Sequence, residues 1–187
     1  QDWDGVPNDS IDTNRTYTPY YYENEIDLYT QNHFHMVMSH QFSRRWNASA
    51  TGFMITGNGY YEQYKEEESF GDYQLPDLIL GTDTLTETNL IRRKMMDNRF
   101  YGLVFSANYE NQRKNFGGNI SRYDGDHFGQ VIWMQYAGTA GINHEYYRNN
   151  GVKDDYSAYA KARYSIGRHT KLLGDLQIRN VTYQVAG

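Results

Sequence analysis

The residues of this chain whose types and spacing could do chemistry are a histidine pair, an acidic string and several tyrosine clusters. His33 and His35 stand two apart, so in an extended strand both imidazoles point to one face. Such a pair can chelate a metal, but a site needs a full ligand set, and no third ligand is apparent nearby. The plain alternative is two polar strand residues, and we assign no metal. Asp124, Asp126 and His127 cluster in RYDGDHFG. They offer carboxylate and imidazole contacts at the base of a loop. The competing reading is a turn, since Asp-Gly favours tight turns and Asp caps local backbone groups. The string lacks the alternating oxygen ligands and terminal Glu of a calcium loop. Tyr20 to Tyr22, then Tyr60, Tyr61 and Tyr64, and later Tyr146 and Tyr147, form aromatic clusters. They suit a platform on which a flat ligand or sugar stacks, or an aromatic girdle at a membrane interface. From these sets the candidate ligand contacts are Tyr21, Tyr22, Tyr60, Tyr61, Asp126, His127, Tyr146 and Tyr147.

Other chemistries find no support. Ser, His and Asp are present without a G-x-S-x-G elbow. Carboxylates are many, but spacing singles out no pair. There is no phosphate-binding glycine loop or dinucleotide fingerprint, so we expect neither an enzyme nor a cofactor. With no Cys, thiolate zinc sites, disulfides and Cys nucleophiles are excluded. The balance of 18 Lys+Arg against 23 Asp+Glu gives a net charge of -5, which argues against a nucleic-acid partner. Acceptor-type strings at Asn14, Asn47, Asn119 and Asn180 match glycosylation sequons. They say little, because three fall within expected strands.

The elements that must position these residues follow a period of two. Strands are expected over roughly 26–42, 47–64, 90–111, 116–123 (with a bent continuation through 131–136), 156–166 and 171–185. On the first, Phe34, Met36, Met38 and His40 share one face. On the third, Tyr101, Leu103, Phe105, Ala107 and Tyr109 do, and on the fifth Ala158, Ala160, Ala162, Tyr164 and Ile166. Lys161, Arg163, Asp175 and Arg179 fall on the opposite face, where a wet lumen would suit them. Short turns are expected near 44–45, 112–115 and 167–170, and long loops over about 65–89 and 124–155. Residues 1 to about 24 read as irregular, punctuated by Pro7 and Pro19.

No run of about 18 apolar residues could form a transmembrane helix. Short turns at one end and long loops at the other are instead the layout of an outer-membrane β-barrel. The 19 Tyr, against 8 Phe, suit surfaces that are apolar at one end and wet at the other. The fold expected is all-β: an antiparallel meander of about six long strands forming part of a larger transmembrane barrel. The alternative is a small self-contained β-barrel for adhesion or soluble ligand binding.

Five strings carry a resemblance: GVPNDSIDTNRTY from Gly5, EIDLYTQNHF from Glu25, GYYEQYKEEESFGDY from Gly59, LIRRKMMDNRFYG from Leu90 and RYDGDHFGQVIW from Arg122. In this order, and over most of the chain, they resemble the barrel of TonB-dependent outer-membrane receptors of the Bacteroidetes type. The resemblance implies a 22-stranded barrel with an internal plug. It also implies location in the bacterial outer membrane, and active uptake of a scarce nutrient, an iron chelate or haem first, energised through TonB. Residues 1–187 would then be a partial barrel domain. The plug and TonB box would lie outside this chain, and its partners would be the rest of the barrel, TonB through the plug, outer-membrane lipid and a small nutrient ligand.

Overall fold

The computed structural model describes residues 26–110 and 113–187. They form an all-β structure. Six long strands, β1 (Asp27–Gln41), β2 (Trp46–Ser69), β5 (Glu87–Tyr109), β6 (Lys114–Met134), β7 (His144–Ile166) and β8 (Thr170–Ala186), make one antiparallel sheet in that order. A two-stranded hairpin, β3 (Leu78–Leu80) with β4 (Asp83–Leu85), interrupts the connection from β2 to β5. The sheet is open: among the described residues neither the outer edge of β1 nor that of β8 is paired.

The three short connections are tight for local reasons. After β1, the N–H groups of Phe42 and Ser43 donate to the Trp46 carbonyl, and the Ser43 hydroxyl accepts from the N–H groups of Arg45 and Trp46. Between β5 and β6, Glu110 takes a left-handed φ of 50° and its carbonyl accepts from the Arg113 N–H at 3.1 Å. Between β7 and β8, Gly167 supplies a φ of 64°, which a residue lacking Cβ adopts freely.

Cross-strand register turns the strand periodicity into rows across six strands. Met38, Ala50, Phe105, Gly118, Ala158 and Ile178 form one apolar row. The row of Met36, Gly52, Leu103, Ile120, Tyr156 and Asn180 lies just beyond it. On β5 this apolar band runs from Tyr101 to Tyr109, about nine residues, or roughly 26 Å for the steps between them at about 3.3 Å per step. Aromatic residues stand at both limits: Tyr101 and Tyr156 above, and Trp46 against Tyr109 below with ring centroids 4.8 Å apart. Large apolar side chains on this face are open, Met36 at 68% and Leu176 at 75% exposure.

The opposite face is mainly polar over the same height, with Val37, Phe53, Val104 and Val181 among its residues. Gln41, Asn47, Asn108, Asn115, Lys161 and Asp175 form one row. Asn108 donates to Asn47 at 3.0 Å, Asn115 donates to Asn108, and Lys161 pairs with Asp175 at 3.3 Å. Arg179 pairs with Asp155 on the same face. The expected opposition of Lys161, Asp175 and Arg179 to the apolar residues is therefore present.

Two expected loops are corrected. The stretch expected as a loop over 124–155 is mostly strand, with β6 running on to Met134 and β7 starting at His144. Its Asp, Asn and Gly residues are held extended by partners far away in sequence, Asp126 opposite Asp97 and Asn150, and Gly125 opposite Asn98 and Gly151. The loop expected over 65–89 shrinks from both ends, since β2 reaches Ser69 and β5 starts at Glu87.

Candidate functional site

The polar face changes character in its upper half, away from the short turns. Five glycines face this side there: Gly57 and Gly59 on β2, Gly125 and Gly129 on β6, and Gly151 on β7. A Cβ at Gly57 or Gly59 would run into Tyr29, one at Gly125 into Tyr123, and one at Gly129 into Tyr146 and Tyr147. Tyrosine rings thus lie directly on bare backbone, an arrangement only glycine permits. Asn98 is buried and fixes one ring by donating to the Tyr29 hydroxyl at 3.0 Å. The result is a tyrosine surface with basic groups set in it. Tyr61, Lys94, Gly129 and Tyr147 form one row, and Tyr29, Gly59, Met96, His127 and Asn149 the next. The Lys94 ammonium is 5.9 Å from the Tyr61 ring centroid, at the outer limit of a cation–π contact.

Beyond these rows the β2–β5 connection folds over the same face. A 3-10 turn at Phe70–Tyr73 brings Tyr73 against Leu90, Val131 and Tyr146, with Leu75, Met134 and Tyr147 around them. This is the only cluster of buried apolar side chains among the described residues. Polar contacts fasten it. His144 Nε2 and the Tyr73 carbonyl oxygen are 2.7 Å apart, the Tyr73 hydroxyl donates to Glu68 at 2.7 Å, and Arg92 donates to the Tyr73 hydroxyl and to Gln63. Burial, and then the hydrogen bond to Glu68, hold the Tyr73 phenol far above the ordinary tyrosine range. Burial likewise pushes Tyr146 up to about 12, with the nearby Arg92 charge acting the other way. Tyr146 is 8% exposed, and its hydroxyl finds no hydrogen-bond partner among the described residues.

A β-bulge explains the Tyr146–Tyr147 pair. Consecutive strand residues normally point to opposite faces, but β7 carries an extra residue opposite Gly129 and Gln130. Both rings therefore turn to the glycine side, 5.0 Å apart and edge to face.

The candidate contacts separate accordingly. Tyr61, His127, Tyr146 and Tyr147 come together on the polar face. Tyr60 and Asp126 lie on the other face. There the Arg93 guanidinium sits 4.3 Å from the Tyr60 ring centroid and Asn150 donates to Asp124 and Asp126 at 2.8 Å each. Tyr21 and Tyr22 fall outside the described residues. Both the turn expected at Asp124–His127 and the alternative of one cluster of these side chains are overturned. They are mid-strand, so the two carboxylates and the imidazole point to opposite faces. His33 and His35 do share a face, stacked with centroids 6.0 Å apart, but no group of three metal-ligating side chains occurs among the described residues. Sequence reading missed Tyr29, Tyr73, Arg92, Lys94 and Tyr123. Of these only Arg92 and Lys94 carry a usable signal, since in the basic run 92–94 alternation sends both to the face of Tyr61.

No family model matches the chain, and no curated protein or solved structure does either.

Proposed function

We propose that this chain is an arc of a large outer-membrane β-barrel, a TonB-dependent receptor of about 22 strands, that takes up a scarce nutrient. The observation that carries the reading is the two-faced band. Between the aromatic limits one face is mainly apolar and open and the other is mainly polar and ion-paired. Its length matches the roughly 9–11 residues that a tilted strand needs to cross a bilayer, and this alternation with aromatic borders characterises membrane barrels. Among the described residues the outer edges of β1 and β8 are unpaired, which favours an arc over a small closed barrel of these strands.

On this reading the apolar face meets lipid and the polar face lines the lumen. The long-loop end is extracellular, and the tyrosine surface with Lys94 and Arg92 lies in the outer part of the lumen. Stacking rings beside cations suit a flat, anionic ligand, and an iron chelate or haem is the ligand class we put first. The remaining strands, a plug and TonB would complete the transport cycle. The test is deletion of the gene in its host, followed by uptake of radiolabelled iron supplied as haem or as a ferric chelate. Loss of uptake, restored by the wild-type gene and abolished when the proton gradient is collapsed, is the expected result. Unchanged uptake of both would overturn the nutrient assignment.

A further inference from the structure

His127 lies within the tyrosine surface and is half-buried. Its ring makes no hydrogen bond, ion pair or ring contact among the described residues. Other imidazoles of the chain are engaged. His33 stacks on His35 and lies 2.9 Å from the Gln31 side-chain oxygen, His40 meets Phe42 edge to face, and His144 is held at the Tyr73 carbonyl.

The sequence clears space around this one imidazole. The same-face positions two before and two after it on β6 are Gly125 and Gly129. Over those glycines lie the Tyr123 hydroxyl and the Tyr147 ring, so phenols frame the imidazole along its strand. Across the strands it is flanked by Met96 and Asn149, with bare Gly59 beyond Met96. The hollow of about 310 Å³ that His127 lines is bounded on this face also by Tyr29, Tyr61, Lys94, Met96 and Tyr147.

Lys94 is the cation of that rim. It forms no ion pair among the described residues, and its contact with Tyr61 leaves ammonium donors available. One carboxylate also lines the hollow, that of Asp27. It stands two strands away from Lys94 across Tyr61, roughly 10 Å at about 4.8 Å per strand. Asp97 and Asp126, next to Met96 and His127 in sequence, point to the other face.

We propose that this hollow takes haem as cargo through its iron, with His127 as axial ligand, the Tyr61 and Tyr147 rings against the porphyrin and Lys94 on a propionate carboxylate. An imidazole nitrogen is a ligand for haem iron, phenol rings suit a flat macrocycle, and an ammonium suits a carboxylate. The inference rests on reading the tyrosine surface as a nutrient site and decides between its two ligand classes. Haem iron has axial positions open to a protein ligand, whereas ferric iron fully wrapped by a chelator has none.

Titration of the full-length protein with haemin, followed at the Soret band, tests it. Wild-type protein should convert free haemin to a histidine-ligated spectrum at one haem per protein. His127→Ala should lose that spectrum, and added imidazole should restore it. Binding of iron-free protoporphyrin should be unchanged by His127→Ala and weakened about tenfold by Lys94→Gln, the loss of one charged hydrogen bond. His33→Ala, on the same face but outside the hollow, should change neither. A haemin spectrum that survives His127→Ala, or that His33→Ala removes equally, would overturn the iron ligand. So would protoporphyrin binding that falls with His127→Ala as far as haemin binding does, since the imidazole would then only pack against the ring. Wild-type protein that leaves haemin unligated would overturn the haem assignment. Energy-dependent uptake of a ferric chelate would in that case keep the nutrient reading, and its absence would remove both.

Discussion

Near the short turns, the ladder between neighbouring strands is unbroken from Trp46 to Lys65, and each residue's face follows from its parity. Near the long loops, three bulges interrupt it, at Lys65/Glu68, Ile91/Arg92 and Gly129/Gln130. The lower half has a mainly apolar face, interrupted by His40 and Lys114, and a polar ladder of Asn, Lys and Asp. The upper half has glycines under tyrosines and a folded-over loop with its own small core. Regular pairing in the lower half makes a wall whose two faces can meet different solvents. Broken parity above lets residues such as Tyr146 and Tyr147 point the same way and build a surface. A bulge costs ladder hydrogen bonds and re-aims side chains, and among the described residues the bulges lie only in the half with the candidate site.

The largest way to break this comparison is a charge in the lower apolar band. On the proposed membrane-barrel reading, Leu103→Arg should destabilise the protein by about 2–4 kcal/mol. It should be seen as a loss of the compact, heat-modifiable band on electrophoresis, whereas Gln177→Arg on the polar face should leave that band intact. Equal damage from both would remove the distinction between the faces.

In the upper half, Leu90→Ala should cost about 2–5 kcal/mol, as for other buried Leu truncations, but locally. Hydrogen exchange should speed up across 70–90 and 131–147 while the amides of 101–109 stay protected. Uniform loss of protection would mean that the two halves form one cooperative unit.

The smallest effect is alkaline. Tyr146 is pushed up to about 12 from the ordinary value of 10.0, so the folded state holds its proton more tightly than the unfolded state. The contribution is therefore complete below about pH 10 and is lost as pH rises toward 12. Exchange of the loop amides should accelerate over that window. Tyr146→Phe should weaken this dependence and stabilise the loop by about 1 kcal/mol, since an unsatisfied buried hydroxyl costs about 1–3 kcal/mol. A variant less stable at pH 7 than wild type would mean that the hydroxyl has a partner.

The lower half was legible in the sequence because its faces alternate without interruption. Tyr101 to Tyr109 and Tyr156 to Ile166 announce strand and face together. The upper half was not, because local composition and long-range pairing disagree there. Asp124-Gly125-Asp126 read as a turn and 149–151 fell inside an expected loop, yet Gly125 lies opposite Gly151 and Asp126 opposite Asn150 in the ladder. Tyr61, Tyr146 and Tyr147 stood out as clustered aromatics. Tyr73 did not, because its place depends on a loop folding back 17 residues before its partner Leu90. That Asp126 and His127 point apart follows from simple alternation once the segment is known to be strand.

The most direct test of the account is a cysteine scan along β5 from Tyr101 to Tyr109 in the full-length protein, in bilayers, read by lipid-phase quenching of an attached fluorophore. The account predicts strict alternation, with positions 101, 103, 105, 107 and 109 quenched from the lipid and 102, 104, 106 and 108 not. A flat profile, or quenching of the even-numbered positions, would contradict a sheet with one face to lipid and one to water.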